Sequence, residues 1–324
     1  MNFAAMMLIA MALDVAIGWP KPVFQRIGHP VTWLGAVISG LERRLNHPGA
    51  GRRARGTLAA LLVIVLAAFC GALLQSLLPS GWLGIVIGGV LAWPLVALRA
   101  MHEHVVAVAD PLNAALSTDP PDTDALAEAR YALSMIVGRD PAQLDTAGIS
   151  RAALESLAEN SSDGIVAPLF WGAVAGLPGI AAYKAINTLD SMIGHRTERY
   201  EAFGWAAARI DDLVNLIPAR LCGGLFALAA GRFGLRALRV MVADARAHRS
   251  PNAGWPEAAM AGALDVRLSG PRIYGDHIAR EPWLNADARD PEGDDLRRGL
   301  ALYRRAMGLG ALGLACSALI IWSF

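Results

Sequence analysis

Long apolar stretches alternate along this chain with polar ones. Thr57 to Leu78 and Ser80 to Leu98 are each long enough to cross the roughly 30 Å hydrocarbon layer of a bilayer as a helix. The Leu78-Pro79-Ser80-Gly81 turn between them makes a hairpin. Ala306 to Phe324 is a further span at the carboxyl end. Phe3 to Ile17 is shorter, contains Asp14 and has no basic residue ahead of it, so it reads as a retained, weak membrane segment and not as a cleaved signal. Met101 to Ser150 is polar with a helical pattern, interrupted at Asp119-Pro120-Pro121-Asp122, and Arg232 to Arg305 is rich in Arg, Asp, Gly and Pro. Both should be aqueous.

Two middle stretches are apolar but broken. Ile165 to Ala182 holds Pro168, Gly172, Gly176, Pro178 and Gly179, and Leu213 to Ala230 holds Asn215, Pro218 and Arg220. If both cross fully, the polar residues from Lys184 to Asp212 lie opposite those from Glu155 to Asp163. If both are broken or re-entrant, all share the cytoplasmic face, the arrangement preferred here because irregular backbone is tolerated at that depth when it is buried in protein or lines a wet cavity.

The predicted architecture is therefore all-α, a polytopic integral membrane protein of about five transmembrane or re-entrant segments with helical cytoplasmic loops. One membrane-integrated domain is expected over 1–324, with the hairpin at 57–98, a cytoplasmic helical region at 101–164, a broken-helix core at 165–230, a second cytoplasmic region at 232–305 and a terminal transmembrane helix at 306–324. Arg52, Arg53 and Arg55 before the hairpin and Arg99 after it place both its open ends in the cytoplasm by the positive-inside rule, as Lys21 and Arg26 do for the end of the first segment. Arg297, Arg298, Arg304 and Arg305 put the carboxyl terminus outside.

Composition agrees with a membrane protein that has sizeable aqueous loops: of 324 residues, 55% are hydrophobic and only 18% charged. A net charge of +1 offers no basic field, so nucleic acid is excluded as a partner. Cys70, Cys222 and Cys316 are isolated, odd in number and set in apolar sequence, which predicts buried free thiols and no disulfide framework or metal motif.

Candidate chemistry concentrates between Arg151 and Arg220, where Glu155, Glu159, Asn160, Asp163, Lys184, Asn187, Asp190, His195, Arg196, Asp211, Asp212 and Asn215 interrupt apolar sequence. Polar groups near membrane depth are expensive to desolvate, so such clustering favours a site. Glu155, Glu159 and Asp163 follow i, i+4, i+8 spacing, a carboxylate stripe on one helix whose mutual repulsion a hard cation such as Mg²⁺ would relieve, with Asn160 beside it. A solvated helix face is the commoner explanation for that spacing. Helical spacing puts Tyr183, Asn187 and Asp190 on one face and Lys184, Thr188, Ser191 and His195 on the next, as donors for phosphate and ligands for metal, or as interhelical hydrogen bonds. Ser250 to Glu257 is a turn-forming loop that could present Asn252 and Glu257, or simply cap the helix that follows. No Walker A, HExxH or GxSxG pattern occurs, so a P-loop ATPase or a protease is a weak reading.

Over nearly its whole length the chain resembles the CbiB/CobD family of cobalamin-biosynthesis proteins. The resemblance rests on Asp14 to Pro20 with His29-Pro30-Val31, Gly138-Arg139-Asp140 with Leu144-Asp145, Glu155 to Asn160 with Asp163-Gly164, Tyr183 to Asp190, Gly194-His195-Arg196, Ala208 to Asp212, and Ser250 to Leu264. Long strings in fixed order are far more specific than a short motif. The resemblance implies an ATP-dependent acid–amine ligase, an adenosylcobinamide-phosphate synthase, which joins (R)-1-aminopropan-2-ol or its O-phosphate to the free propionate of cobyric acid. ATP and Mg²⁺ would be its cofactors, the corrinoid and the amine its substrates, and membrane lipid and other cobalamin-pathway enzymes its partners. Its place would be the inner cell membrane, with the active site facing the cytoplasm.

That chemistry suggests roles for the candidates. Glu155, Glu159, Asp163 and Asp190 would hold Mg²⁺ and nucleotide, with Asn160 and Asn187 assisting. Lys184, Arg196 and Arg139 would hold phosphates or the activated carboxylate, His195 would take the amine proton, and Asn252 and Glu257 would bind substrate or nucleotide. Trp19, Trp171 and Trp255 could pack on the corrin or anchor at the membrane interface. The rival reading is a membrane corrinoid carrier or scaffold without chemistry, its broken helices forming a midplane site.

Overall fold

A computed structural model describes residues 1–138, 140–274, 277–279 and 281–323. Arg139 lies outside the described residues. In chain order the helices are α1 (Phe3–Ile17), α2 (Lys21–Ile27), α3 (Pro30–Leu45), α4 (Arg52–Ser76), α5 (Trp82–Ala92), α6 (Leu98–Leu116), α7 (Thr123–Ser134), α8 (Thr146–Ser161), α9 (Ala167–Ile193), α10 (Trp205–Val214), α11 (Leu216–Ala229), α12 (Gly234–Asp244), α13 (Gly254–Leu264) and α14 (Gly293–Trp322). The strands are short: β1 (Leu268–Ser269) pairs antiparallel with β4 (Trp283–Leu284), and β2 (Arg272–Tyr274) with β3 (His277–Ala279). The chain is 76% helical, as the apolar periodicity predicts.

Among the described residues, four helical stretches are long and apolar enough to cross a membrane: Arg52–Ser76, Trp82–Leu116, Thr146–Ile193 and Gly293–Trp322. There are up to six if two bent pairs each count as a span, α1 with Lys21–Leu45 at 109° and α10 with α11 at 47°. The expected five fall inside that range. The second arm of the hairpin does not end at Leu98; a 3-10 turn at Trp93–Leu95 absorbs Pro94 and the chain resumes as α6. Likewise α14 begins well before Ala306, with Asp294 and Asp295 in its first turn, where their charge complements the helix N-terminus.

The chain divides into two compact units. The first comprises Met1–Leu98, Asp163–Leu216 and Ala311–Phe324. Its core is built from Ile38 of α3, Val63 of α4, Leu189 and Ile193 of α9 and Phe203 just ahead of α10, together with small alanines. Met6 and Met7 of α1 are fully buried and lie where a side chain on Gly88 of α5 or Gly172 of α9 would have to be, so α1 seats by sulfur against bare backbone. Leu58, Leu62, Val65, Phe69 and Leu73 form an exposed apolar ridge along α4, which only hydrocarbon would cover without cost. On such surfaces Cys70 and Cys316 are exposed, which corrects the expectation of three buried thiols; Cys222 alone is buried.

The breakers of the middle stretches act as kinks. Gly176 takes φ 71° and ψ −149° inside α9, two residues before Pro178. That leaves the Leu177 N–H outside the helical ladder, and Gln75 of α4 accepts it at 2.8 Å. A Cβ at Gly176 would stand 2.0 Å from the same Gln75 oxygen, so both the backbone angle and the space require glycine.

The second unit, Arg99–Ser162 and Ile217–Gly310, gathers the two stretches expected to be aqueous together with α11. Its centre is α8, capped by Asp145 on Gly148 N and buried along Ile149, Leu154 and Leu157, with α13 packed on it. Beside α8, Arg267 makes two hydrogen bonds to Asp290, at 2.9 and 2.6 Å, and Arg151 approaches the same carboxylate at 3.4 Å. Both guanidiniums lie against the Trp283 ring.

Two consequences can be measured. Gln75→Leu should lower unfolding stability in detergent by about 1–3 kcal/mol, the usual cost of a buried donor left unsatisfied; an unchanged unfolding midpoint would show that Leu177 N–H has another acceptor. Hydrogen bonds from Arg267 hold the Asp290 carboxyl below its ordinary range. Stabilisation from a depressed carboxyl is present above the unfolded value of about 3.9 and is lost as pH falls through the lower folded value. The stability gap between the parent and Asp290→Asn should therefore close below about pH 4 and stay constant above about pH 5.

Candidate functional site

In the first unit, α10 packs against α9, and polar side chains fill the seam. The fully buried Tyr183 hydroxyl donates to Asn215 Oδ1 at 2.9 Å and lies 3.1 Å from the Asp163 carbonyl oxygen. Asn215 passes the connection on, its Nδ2 donating to Asp211 Oδ2 at 3.0 Å. Asp211 Oδ1 is buried and has no hydrogen-bond partner among the described residues. Asp211 is within electrostatic reach of Asp163 and Asp190, and Asp190 of Asp212 and His195. Arg209 Nη1 pairs with Asp212 at 3.3 Å, and Arg196 stands near the same carboxylate.

Lys184 brings a cation to this acidic group, close enough to Asp163 to interact with its charge. It also lines a cavity of about 440 Å³ whose walls are otherwise mostly apolar, among them Trp19, Trp33, Leu34, Pro94 and Ala181. Trp19 packs edge-on against both His29 and Trp93, at 5.1 and 5.7 Å between ring centroids. Lys184 thus joins an apolar cavity to a carboxylate cluster.

The second unit holds a different polar cluster. Glu155, buried on α8, accepts the Ser269 N–H at 2.7 Å and so braces a residue with φ +61°. Ahead of α13, the Ser250 N–H donates to His248 Nδ1 at 3.1 Å, and the Ser250 carbonyl oxygen lies 3.4 Å from the same nitrogen. Nε2 faces the carboxylate of Glu257 at 3.7 Å, with both side chains buried. Ser250 Oγ accepts from the N–H groups of Asn252 and Ala253, and Arg220 lies over the Trp255 ring.

The candidate residues fall in two groups, one described within each unit. Asp163, Lys184, Asp190, His195 and Arg196 belong to the first cluster, Asn252 and Glu257 to the second. Asn187, half-buried on α9, accepts at its carbonyl from Ser191 Oγ. His195 and Arg196 are exposed just past the end of α9, so His195 does not continue the helical face of Lys184. Glu159 and Asn160 are exposed on α8, and Asn160 turns its amide back to Ser156. Glu155 and Glu159 lie on α8, and Asp163 lies in the π-helical turn Ser162–Val166 that follows it. Among the described residues, no three His, Cys, Asp or Glu side chains form a ready-made metal site. Tyr183, Asp211, Asn215 and His248 enter the clusters without having been given roles; Asp211 and Asn215, four apart in apolar sequence, were the readable signal.

A family model described as "CobD/Cbib protein" matches residues 7–303. The chain belongs to the CobD/CbiB family. Members similar to it include a "Cobalamin biosynthesis protein CobD" of Rhodobacter capsulatus, 65% identical over 323 residues, which span 100% of this chain and 99% of that one. A protein of the same name from Brucella suis is 46% identical over 326 residues, covering 98% of this chain and 97% of its own. No solved structure matches the chain. Residues of both clusters lie within the stretch that the family model matches.

The seam makes a direct prediction. In a double-mutant cycle, Tyr183→Phe and Asn215→Ala should couple by about 0.5–3 kcal/mol in unfolding stability, as residues sharing one hydrogen bond do. Strict additivity would mean that the hydroxyl and the amide act independently.

Proposed function

We propose that this chain acts in cobalamin biosynthesis as an ATP-dependent ligase, joining (R)-1-aminopropan-2-ol or its O-phosphate to the free propionate of (adenosyl)cobyric acid. Membership in the CobD/CbiB family supports the pathway. The observation that carries the chemical reading is the buried Asp211 Oδ1, without a hydrogen-bond partner among the described residues and set among Asp163, Asp190 and Lys184. A buried carboxylate oxygen left in that state is costly unless a ligand completes it.

The donor set suits Mg²⁺, which takes one or two protein carboxylates and completes its shell with water and phosphate. Asp211 would hold it through its open Oδ1, with Asp163 and Asp190 adding negative charge nearby, and its charge would offset that of the nucleotide phosphates. Lys184 and Arg196 are the cationic donors nearby, suited to phosphate oxygens or to an activated carboxylate. A carboxylate is a poor electrophile, so activation must precede attack by the amine. In that attack the new C–N bond forms, the activated C–O bond breaks, and the nitrogen gives up a proton, which His195, held near Asp190, can accept. Glu155 is better read as a brace for Ser269 than as a ligand, while Glu159 keeps an exposed carboxylate. The site would face the cytoplasm of the inner membrane, where ATP is available.

The apolar cavity beside Lys184 favours the second reading, a corrinoid carrier without chemistry. One experiment separates the two. Purified protein is supplied with cobyric acid, ATP, Mg²⁺ and each amine, and the products are read by mass spectrometry. The amide is expected, with turnover lowered ~100-fold or more by Asp163→Asn or Asp211→Asn while membrane insertion is unchanged. Corrinoid uptake into proteoliposomes with no amide formed would overturn the ligase in favour of the carrier.

A further inference from the structure

In the second unit a cavity of about 320 Å³ opens between the turn after α11, the end of α13 and one face of α14. Three arginines line it, Arg232, Arg298 and Arg305, with Phe233, Leu264 and Leu302 among the apolar walls. Arg298 is fixed by donating to the Leu264 carbonyl at 2.9 Å. Among the described residues its carboxylate partner is Asp295, which Arg289 shares, so a single carboxylate serves two guanidiniums. Arg305 Nε donates to the Ala301 carbonyl at 3.2 Å, and Arg232 lies 4.7 Å from the Phe233 ring centroid. These contacts engage fewer than the five N–H donors each guanidinium carries, and the cavity holds an excess of positive charge.

Its position along α14 supplies the second argument. From Arg305 to Trp322 this helix rises ~26 Å, about one hydrocarbon thickness, and carries no acidic or basic side chain in between. Arg305 and Trp322 therefore mark the two interfaces, which puts the cavity at the level of the lipid headgroups. Next to it, Leu235, Leu238 and Val242 of α12 stand 70%, 43% and 60% exposed at i, i+3, i+7 spacing, an apolar ridge on one helix face. Such a ridge beside arginines is how a helix lies in an interface.

We propose that Arg232, Arg298 and Arg305 form a binding site for the phosphate of an anionic phospholipid, with α12 resting on the acyl boundary beside it. The excess of positive charge selects an anionic headgroup, and the apolar ridge selects a lipid over a free phosphate. The site is independent of the ligase reading.

The test uses the full chain in detergent, titrated with phosphatidylglycerol, phosphatidylcholine or inorganic phosphate, with bound lipid counted by native mass spectrometry and unfolding followed in parallel. Phosphatidylglycerol should be retained in preference to phosphatidylcholine, and R232Q/R305Q should weaken its binding by about tenfold or more, given what each basic residue near an anionic surface contributes. R249Q, outside both the cavity lining and α12, should bind as the parent does. Should the double variant fail to fold, R232K/R305K and the parent's own preference between the two lipids carry the test. Equal retention of both lipids by the parent, undiminished phosphatidylglycerol binding by the folded double variant, or equal protection by inorganic phosphate would each overturn the proposal.

Discussion

A helix inside a membrane has no water to satisfy a backbone group that leaves the ladder, and α9 must nevertheless break. Gly176 and Pro178 interrupt it, the Leu177 N–H is released, and one side chain of α4 accepts it. This contact ties α4 to the part of α9 that enters the polar seam, because the segment beyond the break carries Tyr183, Lys184 and Asp190. A straight α9 would keep its ladder but turn those side chains through a different angle. The kink is tolerated because its one loose donor is caught.

Beyond the kink, charge and burial work against each other. Four aspartates, at 163, 190, 211 and 212, interact within one seam, where each would raise the energy of its neighbours as an anion. Lys184, Arg196 and Arg209 moderate this, and the Tyr183–Asn215–Asp211 chain spreads one carboxylate's demand over neutral donors. A seam built only for stability would not gather like charges in this way. The second unit's polar cluster has the opposite character: Glu155 and His248 both accept backbone N–H groups, so they shape the loops that carry Ser269 and Asn252.

Much of the fold was legible in the sequence because the cost of placing apolar residues in water is local and adds along a helix. The hairpin, the terminal helix, α1 and the breakers at Gly176, Pro178 and Asn215 could all be read that way. Partners distant in sequence could not. Nothing near Gln75 announces Leu177, 102 residues on, and nothing near Glu155 announces Ser269, 114 residues on. The spacing of Glu155 suggests a metal ligand, and the structure adds that one of its oxygens accepts this distant backbone N–H. The π-helical turn at Ser162–Val166 was invisible for a different reason: one extra residue in a turn leaves the composition unchanged but shifts every later side chain around the axis.

The seating of α1 exposes the chain to a form of chemical damage. Met6 and Met7 press their thioethers onto the bare backbone of Gly88 and Gly172, where even a methyl group would collide. A sulfoxide oxygen would need the same space and would bring a polar group to an apolar contact. Once seated, both sulfurs are sealed from oxidants by their complete burial. A chain oxidised at either methionine before α1 docks would find its place already too narrow, so the vulnerable interval is assembly, and a reductase that repairs methionine sulfoxide would have to act before the helix inserts.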